Sequence, residues 1–276
     1  SETVRRLEKI IGRLKVLKKV WEFIDKRAFY IMLLPGVLLF FVFSYMPIIG
    51  IILAFKDYDY SLGMFRSPWV GLKNFEFFFR TPDAWLITRN TVLYNAVFIV
   101  LSLVLAVSLA ILINELKNPI MSKVYQTIAL MPHFLSYVIV AYLVYAFLSP
   151  ENGWINKALM PLLHKKPISW YSEPKYWPFI LTFVKIWKGI GYGSIVYLAA
   201  ITGISTEFYE AAKIDGATKW QQIVHITLPG LRSIMSIMLI MSIGGLFNAD
   251  FGLFYQVPMN SGALFPTTNV LGTYVY

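Results

Sequence analysis

Residues 210–229, EAAKIDGATKWQQIVHITLP, decide the fold. The stretch is polar, yet apolar runs long enough to cross a bilayer flank it on both sides. Residues 207–213 combine good helix formers with an acidic start, which suits a helix N-terminus. Gly216 can take φ > 0 and turn the chain. Residues 217–225 read as a second short helix. Pro229, tolerated only in a first turn, puts the start of the next helix beside it. The product is a helix-turn-helix outside the bilayer, whose small Ala211 and Ala212 let another protein approach closely.

The flanks set the class. The chain has 276 residues, 57% of them hydrophobic, and a mean hydropathy of +0.60. Apolar runs of about 20 residues match a hydrocarbon core of about 30 Å, so an all-α integral membrane protein is expected. A transmembrane barrel would show short alternating strands, and the sequence shows none. The absence of cysteine excludes disulfides and thiolate metal sites. A formal charge of +10 would point to nucleic acid in a soluble chain. Here the bases crowd into residues 1–27, so membrane lipid and not nucleic acid is the expected partner. That block carries nine Lys or Arg against four acids, with Val4, Leu7, Ile11, Leu14, Leu17, Trp21 and Ile24 at helical spacing. It reads as a basic amphipathic helix on an anionic membrane surface, marking the cytoplasmic side; a partner-docking helix is the alternative.

Spans are expected at 28–55, 88–113, 128–148, 177–201 and 230–249. Pro35 and Pro47 should kink the first, and Pro132 falls near the start of the third. A sixth span begins near Val270 but is incomplete at Tyr276, since seven residues rise only about 10 Å. Residues 56–87, 149–176 and 250–269 then lie outside. Trp154, Trp170, Tyr171, Tyr176 and Trp177 suit a headgroup belt. Lys165 and Lys166 run against the charge rule but are outweighed by the N-terminal block. No cleavable signal peptide is expected, because the first apolar run begins late and is too long. With the N-terminus inside, alternation places residues 207–229 inside as well.

The order Glu210-Ala211-Ala212, three residues, Gly216, nine residues, Ile226, one residue, Leu228-Pro229 meets every fixed position of the EAA coupling-loop signature. It resembles the membrane subunits of binding-protein-dependent ABC importers. Val70-Gly71-Leu72-Lys73-Asn74-Phe75 resembles a stretch that sugar-type permeases carry before their second span. The first span, LPGVLLFFVFSYMPIIGIILAFKDY, with the long basic N-terminal helix, resembles permeases for complex saccharides such as alginate-type importers. The resemblance runs from about Ala28 onward, tight at the coupling loop and loose elsewhere. It implies a type I ABC importer transmembrane domain of about six spans over residues 28–276, with the coupling loop at 207–229. Family members continue through the sixth span into a cytoplasmic tail, which implies truncation here.

The resemblance further implies a non-catalytic, multi-pass permease of the bacterial plasma (inner) membrane. It would pair as a heterodimer with a second permease, two ATP-binding subunits and an extracytoplasmic solute-binding protein. ATP and Mg would sit on the partner subunits, with no cofactor on this chain. The sequence itself has no G-x-x-x-x-G-K-[S/T] phosphate loop. By the resemblance, Glu210, Ala211, Ala212, Asp215, Gly216, Ile226, Leu228 and Pro229 form the ATPase-coupling element, with Glu210 pairing with a basic residue of the ATPase.

Charges inside a span are costly and so mark candidate functional groups. Lys185, Lys188 and Tyr192 share one face of the fourth span at i, i+3 and i+7. Asn248 and Asp250 end the fifth span on the same side. One reading is a polar, aromatic-lined path for an oligosaccharide, in which the two lysines would favour an anionic (uronate-type) one. The other is snorkelling lysines, or a Lys–Asp pair that locks two helices. Importers of this group place substrate contacts on the span after the coupling loop, where Ser242 and Asn248 fall. Gly189, Gly191, Gly193 and Ser194 form a small-residue patch for close helix packing. His133, His164 and His225 have no metal-ligand spacing. A permease for another solute class, or an ion-coupled secondary transporter, is the alternative function; the latter requires an acid in mid-span, and none is present.

Overall fold

A computed structural model describes Arg27 and residues 29–275. The basic amphipathic helix expected over residues 1–27 lies, Arg27 apart, outside the described residues. The chain divides between Thr81 and Pro82 into two units.

In the first unit, helix α1 (Phe29–Phe55) is long and apolar enough to span a membrane. It is α-helical to Phe40, widens to a π turn over Phe41–Tyr45 and tightens to a 3-10 helix over Met46–Phe55. Pro47 sits in the first turn of the tightened part, so it changes the helix type within one continuous rod. The following loop is ordered by Lys56. Its buried ammonium donates to the carbonyls of Met64 (3.1 Å) and Phe65 (2.7 Å), capping the short helix Gly63–Arg66. Within the VGLKNF stretch, Gly71 has φ +60° and Asn74 donates to the carbonyls of Ala54 and Lys56. The motif therefore folds the loop back onto the end of α1.

In the second unit, α2 (Pro82–Asn114) begins six residues before the expected span, because Pro82 is a favourable first-turn residue. The third span is not the single rod expected over 128–148. It consists of α3 (Pro119–Leu130), a 3-10 turn at Met131–Phe134, and α4 (Tyr137–Leu148), bent by 99° at the break. Pro132 disrupts the helical ladder, and Ser136 Oγ accepts from Ile139 N–H (3.3 Å) to start a new helix. Helix α5 (Trp177–Thr202) matches its expected span to within a residue. Helices α2 and α5 share the most extensive contact in the unit. Small residues make this possible: Ala106 and Ala110 are buried on α2, and a Cβ added at Gly193 would lie 3.3 Å from Ala106 Cβ. A Cβ at Gly191 would collide with the Ala129 carbonyl at the end of α3.

One expectation fails in the packing. Trp177 is no headgroup-belt residue. It is fully buried in the core with Leu181, Val140 and Leu253, and its indole N–H donates to Trp170 O (2.8 Å). Residues 250–269 pack closely against the core. After the fifth span ends at Gly244, five residues before the expected limit, the chain turns back and buries Leu253, Phe254, Val257, Leu264 and Thr268. Such irregular backbone needs polar partners. Asn90 donates to the carbonyls of Pro266 and Asn269, Tyr94 OH to Thr267 O, and Asn95 to Leu246 O. These α2 side chains explain why an otherwise apolar span carries them. The short helix Leu271–Tyr274 then begins where a sixth span was expected.

Candidate functional site

Residues 205–229 form an elbow. Helix α6 (Thr206–Ile214) starts where Ser205 Oγ accepts from Glu207 N–H (3.3 Å). It ends in a Schellman-type turn: Gly216 has φ +80°, and Ala217 N–H donates back to Ala212 O (2.8 Å). A non-glycine residue at that φ is strained, which is the physical reason for a glycine at position 216. Helix α7 (Lys219–Gly244) then begins with a capping box, in which Gln221 N–H donates to Thr218 Oγ1 (3.3 Å) and Thr218 N–H to Gln221 Oε1 (2.7 Å).

The second short helix expected over 217–225 is not separate, and Pro229 does not start a new one. Helix α7 runs through Pro229 by way of a π turn at Ile223–Thr227, where Leu228 N–H reaches back five residues to Ile223 O. Proline lacks an N–H and clashes with the carbonyl four residues back; one extra residue in the turn relieves both problems. The same device recurs. The π turns Phe41–Tyr45, Ile155–Leu159 and Gly252–Gln256 precede Pro47, Pro161 and Pro258 by two residues each.

The signature residues divide into two sets. Glu210, Ala211, Asp215 and Gly216 are exposed and Ala212 is half-buried. Ile226 and Leu228 are half-buried, Leu228 against the cluster of Ala106, Ala110 and Leu231, while Pro229 is exposed. One set faces outward and the other anchors the elbow. Tyr209 OH and Thr227 Oγ1, 3.0 Å apart, hold α6 to α7. Lys219 pairs with Glu115 of the α2–α3 loop at 2.8 Å. A groove of about 560 Å3 beside the elbow is lined by Glu210, Lys213, Lys219, Glu115, Lys117 and Tyr209. Three apolar side chains on this polar elbow went unnoticed in the sequence: Phe208 is 62% exposed, Ile214 87% and Trp220 71%. Their signal was available, since bulky apolar residues interrupt an otherwise hydrophilic loop.

The second site lies where α5 crosses the α3–α4 break. Asp250 Oδ2 accepts from Lys185 Nζ (2.8 Å) and Tyr137 OH (2.6 Å), and Oδ1 accepts from Leu253 N–H (3.3 Å). The carboxylate thus ties α4, α5 and the returning segment together. Lys188 Nζ instead donates to His133 O (2.7 Å), a carbonyl left open by the break, and lies 5.0 Å from the Tyr137 ring centroid. The Tyr192 ring stacks on His133, with centroids 4.6 Å apart and planes at 9°. Lys185, Lys188, Tyr192 and Asp250 are therefore brought together, with Tyr137 and His133 added by the break.

Ser242 and Asn248 are not part of this cluster. Ser242 Oγ donates to Met238 O on its own helix and lines a small cavity of about 100 Å3 with Gly189, Gly193 and Tyr197. Asn248 contributes its backbone carbonyl to Asn95 (3.4 Å). A further cavity of about 740 Å3 between α2 and α5, lined by Leu93, Leu101, Leu105, Phe179 and Phe183, includes none of the charged cluster.

Residues 99–255, more than half of the chain, match the family described as binding-protein-dependent transport system inner membrane component. The polygalacturonan/rhamnogalacturonan transport system permease protein YteP of Bacillus subtilis strain 168 is 36% identical, over 92% of this chain and 78% of its own. The fold matches a crystal structure of a bacterial ABC transporter involved in import of the acidic polysaccharide alginate. That match has TM-score 0.82 and 33% identity, covering 94% of this chain and 86% of the other. A second crystal structure, of a bacterial alginate ABC transporter in complex with an alginate pentasaccharide-bound periplasmic protein, also gives TM-score 0.82 and 33% identity, covering 93% and 84%. With a polar elbow that meets the whole coupling signature, set on apolar helices that superpose on a saccharide importer, the chain belongs to the binding-protein-dependent inner-membrane components, as a non-catalytic sugar or polysaccharide ABC importer permease.

Proposed function

We propose that the chain lines the translocation path for an acidic oligosaccharide and takes its driving force through the elbow at residues 210–229. The observation that carries the coupling role is the outward set of Glu210, Ala211, Asp215 and Gly216, flanked by exposed Phe208, Ile214 and Trp220. Large apolar side chains exposed on an otherwise polar loop fit a protein contact. The partner is a cytoplasmic ATP-binding subunit, present in two copies and carrying the ATP and Mg. A second permease completes the membrane core, an extracytoplasmic binding protein delivers the cargo, and the N-terminus is cytoplasmic. Closure of the ATP-binding subunits rocks the spans between two states, a rigid-body alternating access.

The acidic cargo is supported by the two lysines set against one acid at the α3–α4 break, and by the likeness to a polygalacturonan/rhamnogalacturonan permease and to an importer of the acidic polysaccharide alginate. Ion-coupled transport is disfavoured: the acid beside the path, Asp250, is already engaged by Lys185 and Tyr137.

The test is the ATPase of the reconstituted complex, stimulated by cargo-loaded binding protein. Glu210→Lys and Gly216→Val are expected to abolish stimulation or release the ATP-binding subunits on purification, while the permease still inserts. Wild-type transport by both variants would defeat the coupling role. Equal stimulation by neutral and acidic oligosaccharides would remove the acidic-cargo reading and leave the coupling role standing.

A further inference from the structure

Resting on the acidic-cargo reading, we propose that Lys188 alone of the two path lysines meets a carboxylate of the passing saccharide, with the Tyr192–His133 stack as the platform for the sugar ring. Lys185 has a different task. Its ammonium is committed to Asp250, whose two oxygens are both engaged, by Lys185 and Tyr137 on one and by Leu253 N–H on the other. That trio is a neutral strut. Lys188 remains as the net positive charge of the cluster. Among the described residues no carboxylate lies within the 4.0 Å that defines an ion pair, and its one hydrogen bond goes to His133 O. An ammonium has three donors, so two remain to be used.

The surroundings of Lys188 match the chemistry of a uronate. Helix α5 is 26 residues long and Lys188 is its twelfth, which places the charge roughly 17 Å along a helix of roughly 39 Å. A cation at that depth is expensive without a counter-ion and marks a transport path by default. One turn further on, Tyr192 is 57% exposed while its ring is held parallel to His133. A pyranose ring carries an apolar C–H face that packs on an aromatic ring, and a uronate adds a carboxylate at its edge. The exposed aromatic ring serves the first feature, and a charge-assisted hydrogen bond from the ammonium beside it serves the second. The 99° break supplies the opening, because it turns α4 away from α3 at the level where Lys188 reaches His133 O. A purely structural cap on that carbonyl would need only a neutral donor.

The chain contains no cysteine, which makes the test direct. In the complete reconstituted complex, Lys188→Cys is expected to lower ATPase stimulation by oligouronate-loaded binding protein at least tenfold. Treatment with 2-aminoethyl methanethiosulfonate, which rebuilds an ammonium at that position, should restore it; the anionic sulfonatoethyl reagent should not. Wild-type complex treated in the same way controls for cysteines on partner subunits. Undiminished stimulation of Lys188→Cys, or equal rescue by the two reagents, overturns the assignment. Should Lys188→Cys fail to assemble, Tyr192→Cys gives a second measurement. Its labelling rate should be slowed by oligouronate-loaded binding protein and not by the carboxyl-reduced oligosaccharide; equal rates, as when an acid of the second permease is the true partner of Lys188, overturn it. The cargo reading fails separately, if wild-type complex responds equally to the oligouronate and its carboxyl-reduced form. An acid-selective wild type with an indifferent Lys188→Cys sinks the lysine assignment alone.

Discussion

At Asp250, three donors from three parts of the chain converge on one carboxylate, and removing any of them has a calculable direction. Lys185→Met leaves the acid without its cation in a half-buried site. The loss should fall between that of an exposed pair and that of a fully buried one, about 1–3 kcal/mol, visible as a lower unfolding temperature of the purified complex. Adding Asp250→Asn should recover most of it, whereas an additive double mutant would show that the pair contributes nothing. The glycines of α5 offer a second contrast. Gly191→Val drives side-chain atoms into the Ala129 carbonyl, an overpacking cost of about 1–3 kcal/mol. Gly189→Ala faces open space and should be neutral or stabilising by up to about 1 kcal/mol. Thermal melts of the two variants check the difference, and identical melts would refute the close approach. Of these residues, the sequence disclosed Lys185 and Lys188 through the cost of a charge in a span, and Asp250 through its place at the end of the expected fifth span. It could not disclose Tyr137 or His133, because their roles arise only once the third span breaks and brings residues more than 50 positions away against α5.

The elements show what local chemistry can and cannot announce. Ser205, Gly216 and the Thr218–Gln221 pair are short-range signals, and each acts where the spacing of the coupling stretch places a start, a turn and a second start. Thr218→Ala should therefore cost about 1 kcal/mol of cap energy and loosen the elbow, read as reduced stimulation of the ATPase at unchanged insertion. Wild-type stimulation would show that the cap is dispensable. Prolines are the ambiguous signal. At Pro132 a proline accompanies a bend of 99°, whereas at Pro229 the helix passes through on a widened turn. The outcome depends on whether neighbouring side chains satisfy the freed backbone: Lys188 does so at the first, by reaching the His133 carbonyl from another helix. No reading of residues 128–148 in isolation could contain that fact.

For the whole molecule, the apolar runs of the sequence count the spans well, because each must satisfy its own backbone. The returning segment at 250–269 is the exception. Its irregular backbone is satisfied by Asn90 and Tyr94, which lie more than 170 residues earlier. The orientation is testable at this scale in the cysteine-free chain. Tyr60→Cys, at a side chain 91% exposed, should react with a membrane-impermeant maleimide in intact cells. Ile214→Cys, 87% exposed on the elbow, should react only after permeabilisation. The reverse pattern would invert the topology and with it the coupling role. The unbroken passage of α7 from Lys219 through Pro229 to Gly244 has a mechanical consequence. A hinge at Pro229 would absorb a push as flexion. Under the proposed coupling role, a continuous shaft would deliver it as torque, with the five-residue turn before the proline setting the phase between crank and shaft. Pro229→Ala, by letting that turn close, would slip the phase by roughly 100°, one residue of helical rotation. The protein should then be sturdier to heat yet idle at its work, a motor running with its transmission out of gear.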